Sequence, residues 1–267
     1  MKLIRHQTAS GPAYAALQAN GSAKEVVGDI LGAFTVTDRT VTPGKLLAPV
    51  VPSNILAIGL NYKQHAVEVR KPLPEWPMLF IKSTNAVQNP SDPIEIPVKL
   101  PSNQVDFECE LAVVIGKTCK NVPKAKALEY VLGYTAANDI SARDWQNIWN
   151  GGQFCQGKSF DTFCPLGPAL VTADEIPNPN TLRIRTILNG ETLQDSNTSD
   201  MVFDVPTLIE FLSSSKTLLA GTVILTGTPQ GVGVARNPQI FLKPGDSITV
   251  EIDGIGRLTN PVVAETL

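Results

Sequence analysis

The chain has 267 residues, 43% of them hydrophobic, and a formal charge of −3. That length supports one substantial core or a small domain beside a larger one, and the lack of any basic run argues against nucleic acid or an anionic membrane surface as a partner. No run of about 18 apolar residues occurs, so no membrane span is expected. The 4 cysteines (Cys109, Cys119, Cys155, Cys164) form no CxxC pair, which fits reduced thiols in a cytoplasmic compartment.

The chain opens MKLIRHQTASGPAYAALQ, with early basic residues but no apolar h-region, so no signal peptide is expected. His6 has no acids comparable to those around His65 and receives no role. The prolines and serine of LLAPVVPSN, residues 46–54, mark a boundary between a small N-terminal module at 1–50 and a main domain at 54–267. Fifty residues hardly sustain a core alone, so the module should pack on the main domain. Frequent proline (21) and glycine (20) punctuate short apolar runs, which favours a β-rich fold. Expected strands are Ile55–Gly59, Met78–Lys82, Glu110–Ile115, Ala169–Val171, Arg183–Leu188, Val223–Thr226 and Ser247–Ile252. NGE at 189–191 and DGIG at 253–256 read as hairpin turns. Helical periodicity is confined to Tyr62–Val69, Lys124–Val131 and Val205–Ser214, the last with Pro206 in its first turn.

The first helix carries GLNYKQHAVEV. His65 and Glu68 lie three apart, so on a helical turn the carboxylate can orient and polarise the imidazole as an acid/base dyad. A surface pair is the plainer alternative. The next motif, VDFECELAVVIG at 105–116, starts with Asp106, Glu108 and Glu110 in alternation and ends as a core strand. Alternate strand residues share a face, and clustered carboxylates oppose burial. A hard divalent cation such as Mg²⁺, Mn²⁺ or Ca²⁺ would offset that repulsion. Two other readings stand beside it. One is an edge strand with a solvated acidic face. The other is a glycosidase carboxylate pair, with its acids about 5–9 Å apart.

NDISARDWQ at 138–146 offers Asp139 as a third ligand, or Asp139 or Ser141 as a helix cap. Arg143 and Gln146 share a helical face, and an arginine fork there suits a carboxylate substrate, unless Arg143 pairs with Asp144 or another local acid. GKSFDTFCPLGP at 157–168 sets Lys158 in a glycine-bounded loop, where it would neutralise an enolate or carboxylate, or form a structural ion pair with the acids. LTGTPQGVG at 225–233 follows a strand but is neither a P-loop nor GxGxxG. Its N–H groups and the Thr228 hydroxyl form either an anion nest or a tight structural turn. Together these elements suit a small oxo-acid whose enolate is stabilised by a metal.

The order GLNYKQHAVE, DFECELAVVIG, ANDISARDWQ, GKSFDTFCPLGP, LNGE, LTGTPQGVG resembles the fumarylacetoacetate hydrolase superfamily from about residue 54 to the end. The wording QFCQGKSFDTFCPLGP is most similar to its domain-containing-protein-2 branch. The resemblance implies a β-rich α+β fold, a mixed β-sandwich roll with a small N-terminal module, and a homodimer. It implies Mg²⁺ or Mn²⁺ (Ca²⁺ as a third candidate) on Glu108, Glu110 and Asp139, with Asp106 a neighbour. Lys158 would act beside metal and substrate, and His65 and Glu68 as the dyad. Tyr62, Arg143, Gln146 and Thr228 would be substrate contacts. The implied reactions run through an enolate of a 2-oxo or β-dicarbonyl acid: C–C hydrolysis, or keto–enol isomerisation such as that of an oxaloacetate tautomerase. Oxaloacetate decarboxylation or acylpyruvate hydrolysis is the alternative, and a non-catalytic metal-binding scaffold a further one. Leu60 stands where several cleaving relatives have an arginine, so a cation for a second carboxylate is expected to be missing there.

Overall fold

The short apolar runs between glycines and prolines become strands, and their pairing builds a mixed β-sandwich roll. The computed structural model describes residues 1–266. Its longer strands are β1 Lys2–Thr8, β2 Gly11–Leu17, β3 Ala23–Gly28, β4 Phe34–Val41, β5 Ile55–Gly59, β6 Met78–Lys82, β7 Cys109–Ile115, β8 Val131–Asn138, β9 Cys164–Thr172, β10 Arg183–Leu188, β11 Glu191–Asn197, β12 Val223–Leu225, β13 Ser247–Ile252 and β14 Gly256–Ala264. The α-helices are α1 Lys63–Glu68, α2 Arg143–Asn147, α3 Phe154–Lys158 and α4 Val205–Ser213.

The large sheet runs β4-β3-β2-β1-β9-β8-β7-β12-β5-β6, and a second sheet runs β11-β10-β13-β14 with the short strand Ile94–Ile96 at its edge. Side chains alternate across β7. Leu111 and Val113 pack with Ile184, Val250 and Ile252 of the second sheet, while Ala112 and Val114 join Leu3, Ala57 and Leu166 in a different cluster. β7 is therefore a central strand with both faces covered, not an edge with a solvated acidic side.

The expected strands form, several with the boundaries read from sequence. Asn189 (φ 51°) and Gly190 (φ 88°) make the β10–β11 turn, both in the left-handed region that a two-residue hairpin requires. Three expectations change. Residues Lys124–Tyr130 form 3₁₀ turns rather than an α-helix; Lys126 N–H closes on Pro123 C=O, and the β-branched Val131 already starts β8. Lys158 ends α3 rather than lying in a loop. The three alternating acids do not share one strand. Asp106 belongs to a separate ribbon with Ser141, because the next two N–H groups leave the ladder: Phe107 donates to Asp106 Oδ1 and Glu108 to Asn138 Oδ1.

The first 41 residues form a four-stranded antiparallel meander whose strand β1 pairs with β9. Leu3, Ala16 and Val26 share a cluster with Phe80 and Leu166. At the opposite end of the large sheet, β6 inverts the usual alternation. Phe80 and Lys82 point inward and are buried, whereas Leu79 and Ile81 are exposed. Among the described residues, no helix is long and apolar enough to cross a membrane.

Candidate active site

Register alone assembles the acidic cluster. β7 and β8 pair antiparallel with Cys109 opposite Asn138, so one step further Asp139 N–H donates to Glu108 C=O at 2.9 Å. Glu108, Glu110 and Asp139 are buried, with one carboxylate oxygen of each within 4.8 Å of the others. Asp139 is thus no helix cap; α2 starts at Arg143 without a side-chain cap.

Cations surround the cluster. Lys158 Nζ lies 2.9 Å from Glu108 Oε2 and 2.7 Å from Asp139 Oδ2. Arg143 bonds Asp106 Oδ2 through Nε (2.9 Å), Glu108 Oε1 through Nη2 (2.7 Å) and Gln146 Oε1 through Nη1 (2.9 Å). Asp144 is occupied elsewhere, accepting from Ser102 Oγ and Asn103 N–H. Burial alone would raise the Glu108 carboxyl, but Lys158 and Arg143 override it and hold its pKa at about 2. For Lys158, burial works against the charged ammonium, yet Asp139 and Glu108 outweigh it and raise its pKa. Glu110 goes the other way. Burial, then Asp139 and Glu108, push it well above the usual carboxylate range. Its hydrogen bond comes from Gly227 N–H at 2.7 Å, and no cation pairs with it among the described residues.

Sequence reasoning missed Lys82, a fully buried ammonium 2.6 Å from Asp139 Oδ1. Its signal was a lysine at an inward position of β6. The cluster now has four acids (Asp106, Glu108, Glu110, Asp139) against three cations (Lys82, Arg143, Lys158). One uncompensated carboxylate beside two others, all oxygen donors, fits a hard divalent ion. Glu108, Glu110 and Asp139 would hold it.

The glycine-rich loop does not present a free nest. Gly227 N–H serves Glu110, Gly231 N–H serves Glu68 Oε1 at 2.8 Å, and Gly233 and Val234 N–H serve Asp106 at 2.7 and 3.0 Å. The anions it binds are the protein's own carboxylates. At Gly227 (φ 95°) a Cβ would meet Asn61 Cβ at 2.7 Å, so the loop closes only with glycine there.

A cavity of about 150 Å³ opens over the cluster, lined by His65, Glu108, Arg143, Gln146, Lys158 and Thr228. Apolar walls come from Ile58, Leu60, Met78, Phe80 and Phe154. Glu110 and Asp139 lie outside this lining, fully buried. His65 Nδ1 sits 2.8 Å from Glu68 Oε2. The carboxylate is acceptor-only, so Nδ1 carries the proton in the neutral ring and Nε2 is free. Tyr62 is not at the cavity. It is packed in the core near Cys109 and Met201, with no hydrogen-bond partner for its hydroxyl, and burial raises its pKa well above the ordinary value.

A second missed residue is Gln194, buried on β11. Its Oε1 accepts from Cys109 N–H (3.0 Å) and Thr186 Oγ1 (2.7 Å), and its Nε2 donates to Thr228 Oγ1 (2.8 Å) and Pro229 C=O (2.9 Å). It ties the strand between the two glutamates to the loop bearing Thr228. We expect Gln194→Ala to lower stability by about 2–4 kcal/mol, because it strands buried donors and acceptors. A chemical denaturation midpoint corresponding to a change below about 0.5 kcal/mol would contradict that linkage.

A central acidic cluster, buried counter-cations and a hydrogen-bonded His65–Glu68 pair over a small cavity define an enzyme site on a β-roll. The description "Fumarylacetoacetate (FAA) hydrolase C-terminal" matches residues 54–263. The chain is 52% identical over 219 residues to the mitochondrial oxaloacetate tautomerase of Xenopus laevis, covering 82% of this chain and 68% of that protein. It is 47% identical over 227 residues to a fumarylacetoacetate hydrolase domain-containing protein 2 homolog of Dictyostelium discoideum, covering 82% and 74%. Among solved structures, a 5-carboxymethyl-2-hydroxymuconate delta-isomerase from Mycobacterium smegmatis superposes with TM-score 0.86 at 40% identity, over 99% of this chain and 100% of that one. A fumarylacetoacetate hydrolase from Exiguobacterium antarcticum gives TM-score 0.89 at 36% identity, over 99% and 100%.

The chain belongs to the fumarylacetoacetate hydrolase family and is an enzyme of that family. The expected cytoplasmic location is corrected: relatives from Xenopus laevis, Bos taurus and Homo sapiens are named mitochondrial. All four cysteines are free, but reduced thiols do not discriminate one reducing compartment from another.

Proposed function

We propose that the protein interconverts keto and enol tautomers of a small 2-oxo acid, with oxaloacetate as first candidate and Mg²⁺ or Mn²⁺ as cofactor; Ca²⁺ suits the same oxygen donors. The observation carrying this reading is His65, held by Glu68 at 2.8 Å and facing a cavity shared with Arg143 and Lys158. The name oxaloacetate tautomerase on relatives 47–52% identical supports it. The cavity volume, about 150 Å³, suits a small acid rather than a ligand needing a pocket of about 300–1,000 Å³.

A divalent ion on Glu108, Glu110 and Asp139 would supply Lewis-acid stabilisation of negative charge on the substrate oxygens. The chain's own groups do the rest. His65 Nε2 takes a proton from the carbon between the two carbonyl groups, and Glu68 stabilises the imidazolium. Lys158 and Arg143 face the developing enolate oxygen. The imidazolium then returns the proton to that oxygen, so the enol forms with no net change in atoms or charge. Gln146 and Thr228 orient the acid in the cavity.

The test is an assay of purified, metal-loaded protein with oxaloacetate, following enol absorbance and pyruvate release separately. Accelerated tautomerisation without pyruvate is the expected result. Pyruvate release would replace the reading with C–C cleavage, and neither signal above a metal-only control would overturn oxaloacetate as substrate.

A further inference from the structure

Three cations line the cavity: Lys71, Arg143 and Lys158. Arg143 is committed to Asp106 and Glu108, and Lys158 to Glu108 and Asp139. Lys71 alone has no carboxylate partner and no side-chain hydrogen bond among the described residues. It stands at the exposed rim, just after α1.

Its backbone is fixed there by the way α1 ends. Val69 N–H returns to His65 C=O, Arg70 N–H to Val67 C=O at 3.1 Å, and Lys71 N–H to Ala66 C=O at 3.0 Å, with Arg70 at φ 54°. This is the paired 6→1 and 5→2 closure of a Schellman motif. It terminates the dyad helix and brings the following residue to the cavity mouth. The rest of the outer wall is apolar, from Leu60, Met78, Phe80 and Phe154, apart from the neutral amide of the exposed Asn147. An anionic group pointing outward from the deep cluster therefore meets the neutral Asn147, solvent, or Lys71 as the one cation there not already paired among the described residues.

We propose that Lys71 binds a second, distal carboxylate, so that the cavity selects a small dicarboxylate over the corresponding monocarboxylate. This rests on the oxo-acid reading above and assigns the residue that sets its substrate class. Leu60 leaves its stretch of wall without a cation; Lys71 supplies one from the other end of α1. One end of the substrate lies against the buried cluster, and the distal carboxylate pairs with an ammonium not already neutralised by the protein.

Calorimetry on the Mg²⁺-loaded protein tests this without turnover, using malate and lactate. Both carry a 2-hydroxycarboxylate, and malate adds the distal carboxylate. The wild type should bind malate about tenfold more tightly, as one charge-assisted contact allows. Lys71→Met should bring the ratio close to one by weakening malate alone, and Lys71→Arg should keep the preference. In turnover, Lys71→Met should raise KM for oxaloacetate about tenfold, with a much smaller change in kcat. An unchanged malate-to-lactate ratio in Lys71→Met overturns the proposal, as does a wild type that prefers neither ligand or binds neither. If oxaloacetate is not turned over at all, the tautomerase reading fails, and the calorimetric ratio still decides the role of Lys71.

Discussion

His65→Ala should lower kcat for oxaloacetate tautomerisation by about 10²–10⁴ and leave folding stability within about 0.5 kcal/mol. The two expectations separate because of where the ring sits. It is partly exposed on a six-residue helix, and Glu68 supplies its hydrogen bond. Removing it strands no buried group, since Glu68 keeps Gly231 N–H as a donor. Glu68→Gln should cost less, about tenfold to a hundredfold. The amide can still accept from Gly231 N–H but cannot stabilise an imidazolium by charge. Stopped assays of kcat beside denaturation curves for both variants decide this. Full activity in His65→Ala would remove the acid/base reading of the His65–Glu68 pair.

What sequence reveals here is local. The turn at Asn189-Gly190 is legible because both residues tolerate positive φ. The pair His65–Glu68 is legible because three residues make almost one helical turn. Alternation brings out Asp106, Glu108 and Glu110 together and only the family resemblance singles out the two glutamates, while in the fold β7 begins at Cys109 and Asp106 belongs to another ribbon. Residues whose role depends on register between distant strands leave no such trace. Lys82 meets Asp139 across 57 positions, and Gln194 meets Cys109 across 85. Lys82 looks like the end of an apolar strand, yet it balances a buried carboxylate. The glycine-rich loop misleads for the same reason. Its composition announces exposed N–H groups, and only the tertiary fold reveals that Glu68, Glu110 and Asp106 already occupy them. The meander at the N-terminus is hard to read because its strands pair in a sheet with largely solvated outer members, so the apolar alternation is weak.

The second large effect divides the proposed metal ligands by what neutralises them. Asp139→Asn should abolish activity and cost about 3–5 kcal/mol of stability, because it leaves the buried Lys82 and Lys158 without their shared counter-charge. Glu110→Gln should also abolish metal-dependent activity, yet leave the metal-free protein as stable as wild type or more so. Glu110 has one hydrogen bond, from Gly227 N–H, and burial with two neighbouring acids raises its pKa. A carboxyl whose folded pKa is raised binds its proton more tightly in the native state. Its ionisation therefore subtracts from stability as pH rises from the unfolded value toward the folded one. An uncharged side chain removes that penalty and keeps an acceptor for Gly227. Melting curves with chelator and with Mg²⁺ would separate the cases. Wild type should gain about 2.7 kcal/mol at a hundred times its Kd for the ion, Glu110→Gln should gain almost nothing, and Asp139→Asn should start lower and stay low. If chelator left wild-type activity intact, the ion would be dispensable and the metal-holding role of Glu108, Glu110 and Asp139 would fall. If Glu110→Gln melted as low as Asp139→Asn in chelator, Glu110 would be compensated within the protein and the charge argument for the ion would fail.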